Sequence, residues 1–331
     1  SIECHDIVCK IGEVVVVGGV RRSALISLSN LSDDRMRHAK AGQWWEANPQ
    51  RALANNSACY TEKPDIGIFM DEWKALYDSK SGERGIFNRE SAVKMAAANG
   101  RRQTEGLEFG TNPCSEIILR DREFCNLSEV VVRVDDNPDT LKKKVRLGVS
   151  LTGIMDCKYT NGKAPKHVLP ALLQDLKNEA IRTNAEFAKS IGIPQSVAVT
   201  CVKPSGTVSQ LTDAASGIHA RHNPFYIRTV RGDKKDPLTK MMTEYGFPVE
   251  NDIMKPDHTS VFSFPMKVER SAVFRTDLSA IEQLELWLQY QKYWCEHKPS
   301  VTISVKEHEW IDVGAWVYKH FEYMSGVSFL P

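Results

Sequence analysis

Short β-branched runs separated by long amphipathic stretches narrow the folds open to this chain more than any other feature. "SVAVTCV" (196–202), "SVFSF" (260–264) and "SVTISV" (300–305) read as strands. A helix beginning at Pro170 carries Leu173, Leu176, Ala180, Ile181, Phe187 and Ala188 on one side and stops near Gly192 and Pro194. A second, "LSAIEQLELWLQYQKYWCEH", separates the last two strands. Strands joined through helices of this length pair in parallel, which predicts an α/β architecture.

The rest of the chain is consistent with that class. "IGEVVVVGGVRRSALISLSN" reads as strand, tight loop, strand, and "NNSACY" (55–60) as another short strand. From 107 to 134, "SEIIL", a "RDRE" turn and "FCNLSEVVVRV" suggest a hairpin or long finger. Asn137-Pro138-Asp139 starts a helix in which Leu141, Val145 and Val149 face inward and Lys142, Lys143 and Lys144 outward. Residues 1–331 are expected to form part of one α/β domain within a longer protein, since the chain opens on Ser1 and stops at "GVSFLP".

With 331 residues, 42% hydrophobic content and a net charge of +1, the composition is that of a globular protein with a large core. Near-neutral charge argues against nucleic acid or an anionic membrane as the main partner. "SIECHDIVCK" lacks a signal-peptide layout, and no apolar run reaches the length of a membrane span. The eight cysteines are scattered, with no C-x-x-C pair, so neither a disulfide framework nor a zinc site is expected. A reducing, cytoplasmic setting fits.

"TNPCSEIILRDREFCNLSE" (111–129) is the most chemically loaded stretch. The residue before a proline favours extended geometry, and an extended segment points alternate side chains one way. Asn112, Cys114 and Glu116 are therefore expected to share a face: an amide, a sulfur and a carboxylate. A thiol serves as nucleophile, metal ligand or redox and radical carrier. The first wants a histidine base and the second more N or S ligands; neither is present locally. A glutamate two residues on disfavours a thiolate but does not hinder a neutral sulfur that exchanges a hydrogen atom. The carboxylate is then available as a general base. A polar loop with a chance cysteine accounts for the same residues. Cys125 would approach Cys114 if the arms pair across "RDRE"; a half-buried strand cysteine is the simpler reading.

Three further motifs carry chemistry. In "CVKPSGTVS" a buried strand empties into a loop, Lys203, Pro204, Ser205, Gly206, Thr207, Val208 and Ser209, whose N–H groups and hydroxyls suit a phosphate or simply make a turn. In "GGVRRSA", Gly18 and Gly19 give a flexible turn, and Arg21 and Arg22 are either recognition groups or solvated loop arginines. His219 and His222 in "GIHARHNP" read as local structure or substrate-loop residues, without a metal motif.

In this order, "GGVRRSA", "TNPCSEIIL", "FCNLSEVVVR", "VKPSGTVS" with "GIHARH", and "GVSFLP" resemble the catalytic chain of ribonucleotide reductases. The likeness is greatest to the single-chain, adenosylcobalamin-dependent (class II) ribonucleoside-triphosphate reductases, and it spans nearly the whole chain. The resemblance implies a ten-stranded α/β barrel of two five-stranded parallel halves around a finger loop, present here as a partial barrel. It implies Cys114 as the thiyl radical that takes the ribose 3′ hydrogen, Glu116 as base on the 3′ hydroxyl, and Asn112 holding the sugar hydroxyls. Cys125 becomes one of two reducing cysteines that end as a disulfide. Lys203 to Ser209 lie at the substrate phosphates, and Gly19, Arg21, Arg22 and Ser23 in the loop that relays specificity.

The implied cofactor is adenosylcobalamin. The implied partners are a ribonucleoside triphosphate, a deoxynucleotide effector and a thioredoxin-like dithiol. The second reducing cysteine is expected upstream of Ser1, and the family's C-terminal cysteine pair and effector-binding insertion are not found. No D-x-H-x-x-G cobalamin motif is present, and the family binds cobalamin without one. A diiron partner or a glycyl radical as the radical source, or a truncated nucleotide-binding fragment without activity, are the alternatives.

Overall fold

The computed structural model describes residues 1–17, 20–21, 23–253, 255–268 and 272–331. Its strands, in chain order, are β1 (Val16–Val17), β2 (Val20–Arg21), β3 (Leu25–Ser29), β4 (Ala54–Tyr60), β5 (Gly85–Asn88), β6 (Gly110–Thr111) and β7 (Ile118–Leu119). They continue with β8 (Glu129–Val131), β9 (Ser150–Thr152), β10 (Phe225–Asp233), β11 (Val249–Asn251), β12 (Thr259–Lys267), β13 (Val301–Ser304) and β14 (Ser325–Leu330).

β3, β4 and β5 lie in parallel, and β5 meets β14 antiparallel. β14 is parallel to β13. The pairing then runs on through parallel bridges from Pro299 to Val202 and from Cys201 to Ser150, and ends with β9 parallel to β8. Five extended segments on one side (β8, β9, 201–202, β13, β14) thus face three on the other (β3, β4, β5) across one antiparallel junction. This is the two-halved parallel plan that the resemblance implied, with three strands rather than five in the second half among the described residues. Among the described residues the pairing ends at β3 and β8 without returning on itself.

Helices cover the outside. Ala280–Tyr293 starts on a capping box: the Ser279 hydroxyl accepts from the Glu282 N–H, while the Glu282 carboxylate accepts from the Ser279 N–H. Trp287 donates to the Pro299 carbonyl, Tyr290 to the Thr160 carbonyl and Trp294 to the Cys201 carbonyl, at 2.7–2.8 Å. These aromatic bodies fill the core while their polar tips fasten the helix to the neighbouring segments. Val168–Ile191 buries Leu169, Leu172, Leu173, Leu176, Ala180 and Ala188 and ends on Gly192 at φ +74°. Phe187, expected on that face, is exposed, whereas its neighbour Ala188 is buried.

The helix at Pro138 is shorter than expected, ending at Lys144 so that the chain can enter β9. Lys144 turns inward rather than out, donating to the Val131 carbonyl and to Asp136. β10, β11 and β12 form a separate antiparallel sheet; "SVFSF" therefore belongs to that sheet and not to the parallel one.

Candidate functional site

Residues 110–119 form a tight hairpin, with β6 and β7 antiparallel. Its turn lies at "NPCSE" and not, as expected, only at "RDRE". Asn at the first and Pro at the second position of a β-turn are favoured residues, and the Asn112 carbonyl accepts from the Ser115 N–H at 2.9 Å. The proline's own turn preference thus overrides the extended alternation read from its effect on Asn112. Ser115 sits at φ +62°, in the left-handed region. The Asn112 side-chain oxygen accepts from the Ile117 N–H at 3.0 Å, and the Thr111 hydroxyl donates to the Ile117 carbonyl at 2.9 Å.

The tip is clamped between the two halves of the sheet. From β4, the Asn55 amide donates to the Pro113 carbonyl at 2.6 Å. From β14, Gly326 sits at φ +76° in a bulge, where an added Cβ would fall 2.6 Å from the Ser115 Cβ. From the segment that leads into β13, the Lys298 N–H donates to the Glu116 carbonyl at 3.0 Å. The hairpin is thus a finger between β4 on one side and β13–β14 on the other.

The side chains of the tip diverge from the single face expected. Cys114 is exposed and faces a cavity of about 240 Å³, lined also by Asn55, Ser57, Pro204, Ser300, Thr302 and Gly326. Glu116 is buried behind the tip, 1% exposed, with one carboxyl oxygen lacking a partner among the described residues. Burial pushes its carboxyl above the usual range, while a hydrogen bond from Asn112 and the charge of Lys203 pull the other way. Cys125, on the exposed return arm, is raised first by burial and then by the charge of Glu116, so the two are electrostatic neighbours. The arm carrying Cys125 is irregular rather than a strand.

Lys203 joins these groups. Its amine donates to Glu129 at 2.9 Å, and its charge reaches Glu116 and Cys114. Burial opposes that charge, but Glu129 and then Glu116 leave the amine more basic than an ordinary lysine. In the rest of the 203–209 loop, Ser205 and Ser209 are buried and bond one another: the Ser209 N–H donates to the Ser205 hydroxyl at 3.0 Å. Gly206 and Thr207 are exposed at the turn, Val208 opens a four-residue helix, and Pro204 borders the Cys114 cavity.

Gly19 and Arg22 lie outside the described residues; Arg21 is described only by its backbone, in β2. The Ser23 hydroxyl donates to the Gly12 carbonyl at 2.8 Å. His219 holds local structure: its Nδ1 side meets the Ser216 carbonyl and its Nε2 accepts from the Thr302 N–H at 3.0 Å. His222 is exposed, edge-on to Tyr226.

Sequence reasoning missed Asn55, Glu129, His297, Lys298 and Gly326. A glycine interrupting the apolar run "SGVSFL" was a signal of close backbone approach. A glutamate opening the buried run "EVVV" was another. Lys298 is wholly buried, its amine 4.5 Å from the Phe87 ring centre with no hydrogen-bond partner among the described residues. Burial holds it well below the ordinary lysine value. His297 accepts from the Ile118 N–H at 3.3 Å at the finger's root, and burial, with Arg102 and Lys298 nearby, lowers it to about 4.

No protein-family model matches the chain. Curated relatives are adenosylcobalamin-dependent ribonucleoside-triphosphate reductases. That of Levilactobacillus brevis is 25% identical over 100% of this chain and 51% of its own length. That of Euglena gracilis is 26% identical over 100% and 49%, and that of Lacticaseibacillus paracasei 27% over 100% and 51%. The chain therefore spans about half the length of the curated relatives it matches. The crystal structure of a B12-dependent (class II) ribonucleotide reductase superposes with a TM-score of 0.73 at 22% identity, covering 100% of this chain and 53% of that one. The fold is similar to that of about half of a class II ribonucleotide reductase. In sequence, the particular likeness is to the adenosylcobalamin-dependent ribonucleoside-triphosphate reductases.

Proposed function

We propose that the chain is the core of a catalytic barrel that reduces ribonucleoside triphosphates to their 2′-deoxy forms by radical chemistry. The observation that carries this reading is the finger itself: Cys114 faces a cavity between the sheet halves, with Glu116, Cys125 and Lys203 gathered behind it.

The residues present fit adenosylcobalamin in part. At about 240 Å³, the cavity is smaller than sites of roughly 300–1,000 Å³ that enclose drug-sized ligands. It would take the ribose at Cys114, with Asn55, Ser57, Ser300 and Thr302 as polar lining, and the body of so large a cofactor would have to lie outside it. When bound, adenosylcobalamin supplies the acceptor for the hydrogen atom of the Cys114 thiol.

Cys114, a neutral sulfur radical once its thiol hydrogen has gone, takes the 3′ hydrogen of the ribose and returns it to C3′ after the 2′ carbon has been reduced. Glu116 accepts the 3′ hydroxyl proton, and its unpartnered buried oxygen suits an O–H donor. Asn112, bonded to Glu116, orients that carboxylate and the sugar hydroxyls. Loss of the 2′ hydroxyl as water requires two electrons, drawn from Cys125 and a second thiol that close to a disulfide. A thioredoxin-like dithiol then reopens it. Loop 203–209 borders the substrate phosphates, its exposed Gly206 and Thr207 being best placed. Gly19, Arg21, Arg22 and Ser23 serve as the loop that responds to a deoxynucleotide effector.

The full-length protein, supplied with a ribonucleoside triphosphate and a dithiol, is expected to form deoxynucleotide only when adenosylcobalamin is added. Product formed equally without it would overturn the cofactor assignment.

A further inference from the structure

Glu129 and Lys203 are fixed to one residue of the sheet. Glu129 pairs in register with Ser150, and the Ser150 hydroxyl accepts from the Lys203 N–H at 2.9 Å. One Glu129 oxygen takes the Lys203 amine at 2.9 Å; the other is buried and without a partner among the described residues, as is one oxygen of Glu116. A pair anchored this way on the backbone differs from a surface ion pair between two loose side chains.

The groups around Glu116 come from several elements. They are Asn112 and Cys114 on the finger, Cys125 on the return arm, Cys201 on the neighbouring segment, Glu129 on β8, and Lys203 on the loop. Lys298 bonds Glu116 through its backbone and directs its amine at Phe87. His297, at the finger's root, is bonded to Ile118. Burial keeps the thiols of Cys125 and Cys201 protonated at neutral pH. The Lys298 backbone, bonded to the Glu116 carbonyl at 3.0 Å, also accepts from the Val202 N–H at 3.1 Å. That brings the next residue, Lys203, with its Glu129 partner at 2.9 Å, beside the Glu116 segment, and these two carry opposing charges toward its carboxyl.

We propose that Glu129 and Lys203 are positioning residues that act on Glu116 in opposite senses, Lys203 favouring its ionised form and Glu129 both holding Lys203 in place and limiting its effect. The carboxyl is thereby kept able to exchange a proton rather than locked in either state. The inference rests on Glu116 being the base proposed above. It also gives Lys203 a role toward the finger that its place in the phosphate loop did not suggest.

The test follows the carbonyl stretch of protonated Glu116 by infrared spectroscopy across pH, in the full-length protein without cofactor or substrate. The band is assigned by its loss in Glu116→Gln. Glu129→Gln retains an acceptor for Lys203 while removing the charge, and is expected to raise the ratio of ionised to protonated Glu116 severalfold at a fixed pH. Lys203→Met is expected to lower that ratio severalfold, with Lys203→Gln as the second variant should the first not fold. Shifts in the same direction, or none, would overturn the proposal. The readout needs no turnover, so an inactive protein that shows both shifts contradicts the assigned reaction and leaves the pair standing.

Discussion

Ser115 and Gly326 touch where two backbones each adopt positive φ, and that contact fixes how far the finger reaches toward the cavity. Gly326→Ala adds a Cβ 2.6 Å from the Ser115 Cβ at a position of φ +76°, a clash of the kind that costs about 1–3 kcal/mol. Urea unfolding is expected to show that loss, with deoxynucleotide formation reduced further as the tip moves. His297 has a second, pH-dependent consequence. Held at about 4 in the native state against roughly 6.5 when unfolded, it takes up a proton in the unfolded chain first. Its contribution to stability is complete above about pH 6.5 and is lost as pH falls toward 4, by on the order of 3 kcal/mol. His297→Gln keeps an acceptor for Ile118, and its unfolding free energy is expected to depend less steeply on pH over that window. Equal slopes for the two proteins would contradict the assignment. At this scale the sequence put Asn112, Cys114 and Glu116 in one short segment, and the structure differs in how that segment is bent. The Asn112–Pro113 pair makes a turn, which sends Cys114 and Glu116 to different sides rather than along one face.

The elements between which the finger sits owe their placement to a few directed contacts. Trp294, just past the end of its helix, donates to the Cys201 carbonyl and so fastens the segment that leads into the 203–209 loop. Trp294→Phe keeps most of the apolar body and removes one donor from that buried carbonyl, which the bridge to Ser150 still engages, and is expected to cost about 0.5–1.5 kcal/mol. Hydrogen exchange is expected to quicken in residues 200–203 before it does so in β3–β5; uniform quickening would argue against a local tie. Helices and strands were legible wherever periodicity was sustained, as in the long helix with Leu173 and Leu176 and the one with Leu284 and Leu288. Legibility failed at boundaries. The helix from Pro138 stops at Lys144 as the chain turns into β9, and Lys144 itself is drawn back to Val131 and Asp136, a tertiary pairing that no local pattern announces. The arm carrying Cys125 resembled a strand in composition, yet regular pairing resumes only at Glu129.

Across the whole molecule, parallel pairing runs on both sides of a single antiparallel junction, and the finger contacts β4 on one side of it and β14 on the other. Alternating strands and helices made the parallel architecture readable. The order of strands was not, because it depends on which edges meet after the chain collapses; the resemblance supplied only the plan of two parallel halves, of which the described residues give five segments and three. Glu129, Asn55 and Gly326 stayed hidden for the same reason: each matters through a neighbour distant in sequence. The central claim is that the sulfur at the finger tip exchanges a hydrogen atom with the ribose. Cys114→Ser keeps the size and polarity of the side chain while removing the sulfur. In the full-length protein with adenosylcobalamin, a ribonucleoside triphosphate and a dithiol, no deoxynucleotide is expected from the serine variant under conditions where the unaltered protein turns over. Product from both at similar rates would contradict the account.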